Sequence, residues 1–147
     1  MRCATPLCFV LLTLTCFTAP AWSADEKKPE PSAVTKSSPD QFDKARHEKD
    51  AVVIDVRSPE EFAAGRVPGA VNIPVTGAGS EAFDKRVAEV AKDKTPLVYC
   101  RSGNRSAKAV EKLKAMGFRS IIEMPGGWVA WSQAGKDVEK GPVKPAK

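Results

Sequence analysis

The residues Cys100-Arg101-Ser102-Gly103-Asn104-Arg105-Ser106 place one nucleophile in a short polar loop with two cations. The apolar run Pro96-Leu97-Val98-Tyr99 leads into this loop, and an amphipathic helical pattern leaves it. A strand, a tight loop and a helix start, in that order, make an anion cradle. Unpaired helical N–H groups and the positive end of the helix dipole converge there. A cysteine at that point should ionise readily and act as a nucleophile. Arg105 opens the helix and Arg101 adjoins the sulfur, so either can hold a bound anion or steady the thiolate. Arg101 can equally stand at the mouth and steer anions inward. Gly103 lets the backbone curve, so that the N–H groups of Ser102, Asn104 and their neighbours can face inward as a nest. Ser102 and Ser106 can donate to the sulfur or cap the helix.

No acid or base partner lies close by in sequence. His47, the only histidine, sits in the charged stretch Lys44-Ala45-Arg46-His47-Glu48-Lys49-Asp50 and reads as solvent-facing, which argues against a Cys-His protease. Activation of Cys100 therefore falls to its own loop. Sulfur transfer suits such a site. A thiolate attacks the outer sulfur of an anionic donor, becomes a persulfide and passes that sulfur to a soft nucleophile. Neither half-reaction needs a strong general acid, because the donor leaves as a stable anion.

Elements must hold that loop in place. Residues 1–24 read as a cleavable export signal: Arg2, then an apolar core from Leu7 to Phe17, then small residues around Ala19-Pro20-Ala21-Trp22-Ser23-Ala24. Cleavage after Ala21, Ser23 or Ala24 would remove Cys3, Cys8 and Cys16, leaving Cys100 as the one thiol of the mature chain. That excludes a disulfide framework or a thiolate metal cluster within one chain, and no metal or cofactor is expected. The expected destination is outside the cytoplasm, the periplasm in a double-membraned bacterium, with no stable membrane association after cleavage. Residues 25–37 are rich in charge and proline and read as a flexible leader. Residues 38–137 form the domain, and residues 138–147 read as a flexible tail. The formal net charge of +5 is spread among mixed acidic and basic residues, so nucleic-acid binding is not expected.

Within the domain, Ser38-Pro39 and Ser58-Pro59 each open a short helix with a capping serine and a first-turn proline. The first helix ends near His47, the second at Gly65. Ala51 to Asp55 is a β-branched run that reads as a central strand, and prolines restrict the next strand to about Ala70–Asn72. Phe83, Val87, Val90 and Ala91 share one helical face. Leu97 to Tyr99 and Ser120 to Met124 read as strands. Arg105 to Met116 is the clearest helix, with Gly117 at its stop. Gly126-Gly127 turns the chain into a last helix carrying Trp128 and Trp131. Strands alternating with helices predict an α/β fold, a mainly parallel sheet covered on both faces, with the ligand beyond a strand's carboxyl end where Cys100 falls.

Four segments together resemble a known family. They are Ile54 to Phe62 (IDVRSPEEF), Gly65 to Pro74 (GRVPGAVNIP), Cys100 to Ser106, and Gly126-Gly127-Trp128 with Trp131. In this order they are similar to the motifs of single-domain rhodaneses over roughly Ser38 to Gly135. The resemblance implies a three-layer rhodanese-like fold and a thiosulfate:cyanide-type sulfurtransferase with the persulfide on Cys100, inside a loop made by Cys100 to Arg105. Asp55 and Arg57 match the family's Asp-x-Arg and look like architecture around the loop; the alternative for them is a surface ion pair. Arg66 departs from the pattern by standing where the family commonly has histidine, and it either adds to the positive field near the site or faces solvent.

Two other readings use the same residues. A cysteine phosphatase or arsenate reductase has the same cradle logic, but its pattern is a cysteine, five residues and an arginine. Only four residues separate Cys100 from Arg105, and the smaller ring suits one bound sulfur better than a phosphoryl group. A persulfide carrier without turnover would keep the whole loop. The expected partners are a small anionic sulfur donor and a thiol, cyanide or protein sulfur acceptor; the sequence leaves oligomeric state open.

Overall fold

The computed structural model of the chain describes residues 32–142 apart from 78 and 92. The expected export signal, residues 25–31 of the expected leader and residues 143–147 of the expected tail lie outside the described residues. The elements run β1 (Ala33–Lys36), α1 (Pro39–Ala45), β2 (Ala51–Asp55), α2 (Pro59–Ala64), β3 (Val71–Asn72), α3 (Phe83–Ala91), β4 (Thr95–Tyr99), α4 (Asn104–Ala115), β5 (Ser120–Met124) and α5 (Gly127–Gln133). A turn of 3-10 helix at Ser80–Ala82 leads into α3. The strands form one sheet in the order β1-β5-β4-β2-β3, and every pairing is parallel. The predicted α/β class with a parallel sheet between helices is therefore the observed one.

The sheet explains where Cys100 sits. β4 lies between β5 and β2, so its carboxyl end opens at the middle of the sheet, and Cys100 is the next residue. Alternation along β4 sends Val98 and Cys100 to one face, with Ile54, Phe83, Val87, Ala109, Leu113 and Ile121. Leu97 and Tyr99 go to the other, with Phe42, Val67, Met124 and Trp131. There Phe42 meets Tyr99 and Trp131 edge-on, with ring centroids 6.0 and 6.3 Å apart. At the starts of α1 and α2, the Ser38 and Ser58 side chains accept from the backbone N–H groups of Gln41 and Glu61. The Gln41 and Glu61 side-chain oxygens in turn accept from the Ser38 and Ser58 N–H groups. Such a box is worth about 1 kcal/mol at each helix start.

Two segments differ from the sequence expectation. Ala33–Lys36, inside the expected flexible leader, is an edge strand whose register runs Ala33↔Ser120 to Lys36↔Glu123. Backbone hydrogen bonds carry it, since of its side chains only Val34 turns toward the core. At the other end, Val138 to Pro142 belong to the expected loose tail, yet this stretch crosses the Gly65–Gly69 loop. Arg66 and Glu139 exchange backbone hydrogen bonds of 2.9 and 3.0 Å, and Gly141 N–H donates to Ala63 O. Arg66 holds the crossing together. Its guanidinium donates to Glu139 Oε1 at 2.6 Å and to Gly141 O at 2.8 Å, and lies 4.6 Å from the Phe62 ring centroid. At 4% exposure Arg66 does not face solvent; it fastens the strap to the domain.

Candidate active site

α4 begins at Asn104, so the amides of its first turn have no carbonyl partners within the helix. The Gly103 N–H reaches Cys100 Sγ at 3.1 Å. The Cys100 thiol in turn lies 3.7 Å from Ser106 Oγ, with the thiol as donor. Cys100 is 1% exposed and sits under its loop. Gly103 takes φ +95°, and a Cβ there would stand 2.6 Å from Pro125 O, so the curve that aims its N–H at the sulfur admits only glycine.

α5 closes the loop from the far side. Its Trp128 and Val129 N–H groups donate to the carbonyls of Cys100 and Arg101, at 2.7 and 3.2 Å. That approach brings Gly127, at φ +56°, so near the loop that a Cβ would fall 2.3 Å from Cys100 O. The second glycine of Gly126-Gly127 is therefore a steric requirement of the cysteine loop.

The two loop arginines part company. Arg101 is exposed, whereas Arg105 is pinned by Glu61 through a two-pronged ion pair of 2.6 and 2.9 Å. The Glu61 hydrogen bonds raise the Arg105 pKa, and the negative field of Cys100 adds to the effect. In return Arg105 holds the Glu61 carboxyl below the usual carboxylate range. Ser102 and Asn104 are exposed on the loop's outer side, so Ser106 is the serine placed at the sulfur.

Asp55 and Arg57 form a buried pair, 0% and 2% exposed, at the end of β2. Arg57 Nη2 donates to Asp55 Oδ2 at 2.6 Å and to Gly65 O at 2.6 Å. Its guanidinium lies 4.8 Å from the Trp128 ring centroid and 5.6 Å from that of Tyr99. Burial first, then the facing Asp55, pushes the Tyr99 phenol well above its ordinary pKa. The neutral hydroxyl accepts from Val67 N–H at 3.1 Å. A cleft of about 270 Å³ opens beside the loop, lined by Arg57, Glu61, Ala64, Gly65, Arg101 and Trp128. A larger one, about 460 Å³, lies at the opposite end of the sheet, around Asp50, Thr95 and Ser120, away from Cys100. His47 is exposed and stands 3.9 Å from Asp43, within its own charged stretch.

Sequence reasoning passed over Glu61 and Glu123. Glu61 was legible only as the third residue of a capping box, a role it fills while also gripping Arg105 from 44 residues away. Glu123 carried a signal, a charge within the apolar strand Ser120-Ile121-Ile122-Glu123-Met124, where alternation puts it on the same side as Ile121.

The Glu61–Arg105 pair has a pH signature. A carboxyl whose folded pKa is lowered stabilises fully above its ordinary value of 4.5, and that contribution is lost as the pH falls through the lowered value. Both side chains are about 30% exposed (26% and 31%), so the effect is small, under about 1 kcal/mol. Urea unfolding at stepped pH should show Glu61→Gln below wild type near neutrality and the two curves converging in acid.

Comparison with known proteins agrees with this geometry. The model of the rhodanese-like domain family matches residues 38–134. A sulfurtransferase of Allochromatium vinosum is 33% identical over 87 residues, covering 59% of this chain and 77% of that protein. A putative mitochondrial thiosulfate sulfurtransferase of Schizosaccharomyces pombe is 36% identical over 94 residues, 58% of this chain and 66% of that protein. Among solved structures, a rhodanese-related protein from Thermoplasma volcanium superposes with a TM-score of 0.60 at 28% identity, covering 71% of this chain and 97% of the other. With its parallel sheet, its cysteine loop and a match over most of its length, this chain belongs to the rhodanese-like domain family.

Proposed function

We propose that the domain moves sulfane sulfur from an anionic donor such as thiosulfate to a thiophilic acceptor, through a persulfide on Cys100. Family membership and relatives named sulfurtransferases support a sulfurtransferase-type role. The observation that carries the finer reading is the loop itself. Cys100 Sγ receives the Gly103 N–H, and a cation held by Glu61 stands at Arg105, the first turn of α4. In the first half-reaction the Cys100 thiolate attacks the outer sulfur of thiosulfate. The new S–S bond forms as the donor's S–S bond breaks, and sulfite leaves with the electron pair. In the second, a thiol, cyanide or a protein acceptor attacks the outer sulfur of the persulfide and restores the thiolate. Loop N–H groups and the Arg105 cation stabilise the anionic sulfur in both.

The test is steady-state thiocyanate formation from thiosulfate and cyanide. Turnover that depends on Cys100 supports the reading. A mass gain of one sulfur atom without turnover would favour the carrier, and the absence of both turnover and sulfur loading would favour a phosphatase or arsenate reductase.

Arg105→Ala should raise KM for anionic donors by about tenfold, the worth of one well-placed charge-assisted contact. It should also move the pH–rate profile to higher pH, because a cation beside the thiolate is gone. An unchanged profile and donor dependence would mean that Arg105 serves only Glu61.

We further propose that the protein is exported and that residues 1–24 are its signal. The N-terminal sequence of protein recovered from cells should then begin after Ala21, Ser23 or Ala24. An intact Met1 would refute export by cleavage.

A further inference from the structure

The buried acid that the sulfur chemistry leaves unused is Glu123. It is 6% exposed, on β5, on the sheet face that carries Cys100. Its Oε1 lies 2.8 Å from the hydroxyl of Ser106, itself fully buried on the first turn of α4. Ser106 is the residue whose oxygen receives the Cys100 thiol at 3.7 Å. Its single hydrogen has two acceptors within reach, Glu123 Oε1 and Gly103 O at 2.9 Å. Sulfur, hydroxyl and carboxylate thus form one hydrogen-bonded chain across α4 and β5.

We propose that Cys100 and Glu123 share one proton through the Ser106 hydroxyl, so that the buried glutamate sets the pH at which the sulfur becomes a thiolate. The inference rests on Cys100 being the nucleophile of the proposed reaction and is indifferent to the donor. The proton shift balances. The Cys100 S–H bond breaks as its proton passes to Ser106 Oγ, and the Ser106 O–H bond breaks as that proton passes to Glu123 Oε1. One negative charge moves from carboxylate to sulfur, and the net charge of the site is unchanged. Two negative charges on so close and buried a pair repel, so removing the last proton takes a higher pH than for the thiol beside a neutral side chain.

Glu123 therefore acts as a positioning residue. When it is ionised, the Ser106 hydrogen turns to it and the hydroxyl oxygen faces the thiol. When it is protonated, the Ser106 hydrogen is released to the sulfur anion. Other groups bear on the pair from each side. Gly103 N–H and Arg105, with Glu61 behind it, favour the sulfur anion. Arg101 on the loop and Lys36, opposite Glu123 in β1, are exposed cations whose fields water screens.

The experiment is the pH dependence of alkylation of the full chain by iodoacetamide, followed by the mass of the peptide carrying Cys100. It is run on wild type, Glu123→Gln, Ser106→Ala and the double variant, each checked for fold by circular dichroism. Glu123→Gln should move the profile to lower pH by about one unit and reduce it to a single ionisation. On the Ser106→Ala background the same change should move it clearly less. A Glu123→Gln profile that stays in place or moves to higher pH would overturn the proposal, and an equal shift without Ser106 would remove the hydroxyl from it.

Should Glu123→Gln fail to fold, infrared difference spectra of wild type before and after alkylation take its place. Blocking the sulfur should perturb a carboxyl band, and a silent carboxyl region would overturn the shared proton. A chain that shows the coupled profile yet neither forms thiocyanate nor takes up sulfur would refute sulfur transfer and leave the shared proton standing.

Discussion

Cys100→Ser is expected to lower thiocyanate formation by ~10³-fold or more while the folded domain survives. The hydroxyl that replaces the thiol ionises far outside any working pH and holds no persulfide, so both half-reactions of the proposed transfer lose their covalent intermediate. The surrounding chain has little reason to move. Serine has nearly the shape of cysteine, the Gly103 N–H finds an oxygen where it had a sulfur, and Ser106 remains a partner. The loop is shaped by other contacts, the Trp128 and Val129 amides on its carbonyls and the Gly103 curve over Pro125. Thermal unfolding by circular dichroism should therefore stay within a few degrees of wild type. Turnover retained in the variant would sink the persulfide mechanism, whereas turnover lost together with the fold would mean that the sulfur is a structural group.

Different parts of this molecule were written in the sequence at different ranges. Ser38-Pro39 and Ser58-Pro59 announce their helices because a capping serine and a first-turn proline act within four residues. The central strands β2 and β4 are legible because burial on both faces demands apolar runs at their centres, Val52-Val53-Ile54 and Leu97-Val98-Tyr99. β1 is not legible. Ala33-Val34-Thr35-Lys36 offers one core side chain, and its place is set by backbone pairing to a strand more than eighty residues on. The strap is hidden for the same reason, since Arg66 meets Glu139 across 73 positions that no local pattern connects.

The site divides along the same line. Cys100, Gly103, Arg105 and Ser106 announced themselves by adjacency, and the fold brings Gly103 and Ser106 to the sulfur. Their partners came from elsewhere in the chain. Glu61 reads as a cap, and Glu123 as an oddity in a strand, until the fold sets them against Arg105 and Ser106. Nearby residues show the loop's chemistry, while distant acids decide how its charges are held.

The largest loss of stability from a single substitution near the loop should come from Asp55→Ala. Its carboxylate is fully buried and receives Arg57 through both oxygens, besides the Arg57 amide at 2.9 Å. Removing it leaves a guanidinium enclosed by Trp128 and Tyr99 with the Gly65 carbonyl as its remaining bond. Stranding one member of a buried pair costs about 3–5 kcal/mol, a large share of what holds a domain of this size together. The melting temperature should fall by about 15 °C or more. If the uncompensated charge is the cause, Asp55→Ala combined with Arg57→Leu should regain much of the loss, because the second change removes the cation and refills the space with apolar atoms. A double variant as unstable as the single one would instead assign the pair's value to geometry, through the Arg57 tie that fastens the α2–β3 loop at Gly65 to the end of β2. That tie also walls the cleft beside the cysteine loop, which Arg101 lines. The double variant should therefore recover stability without restoring that wall, so its KM for thiosulfate against wild type reads what the tie does for the site apart from the fold.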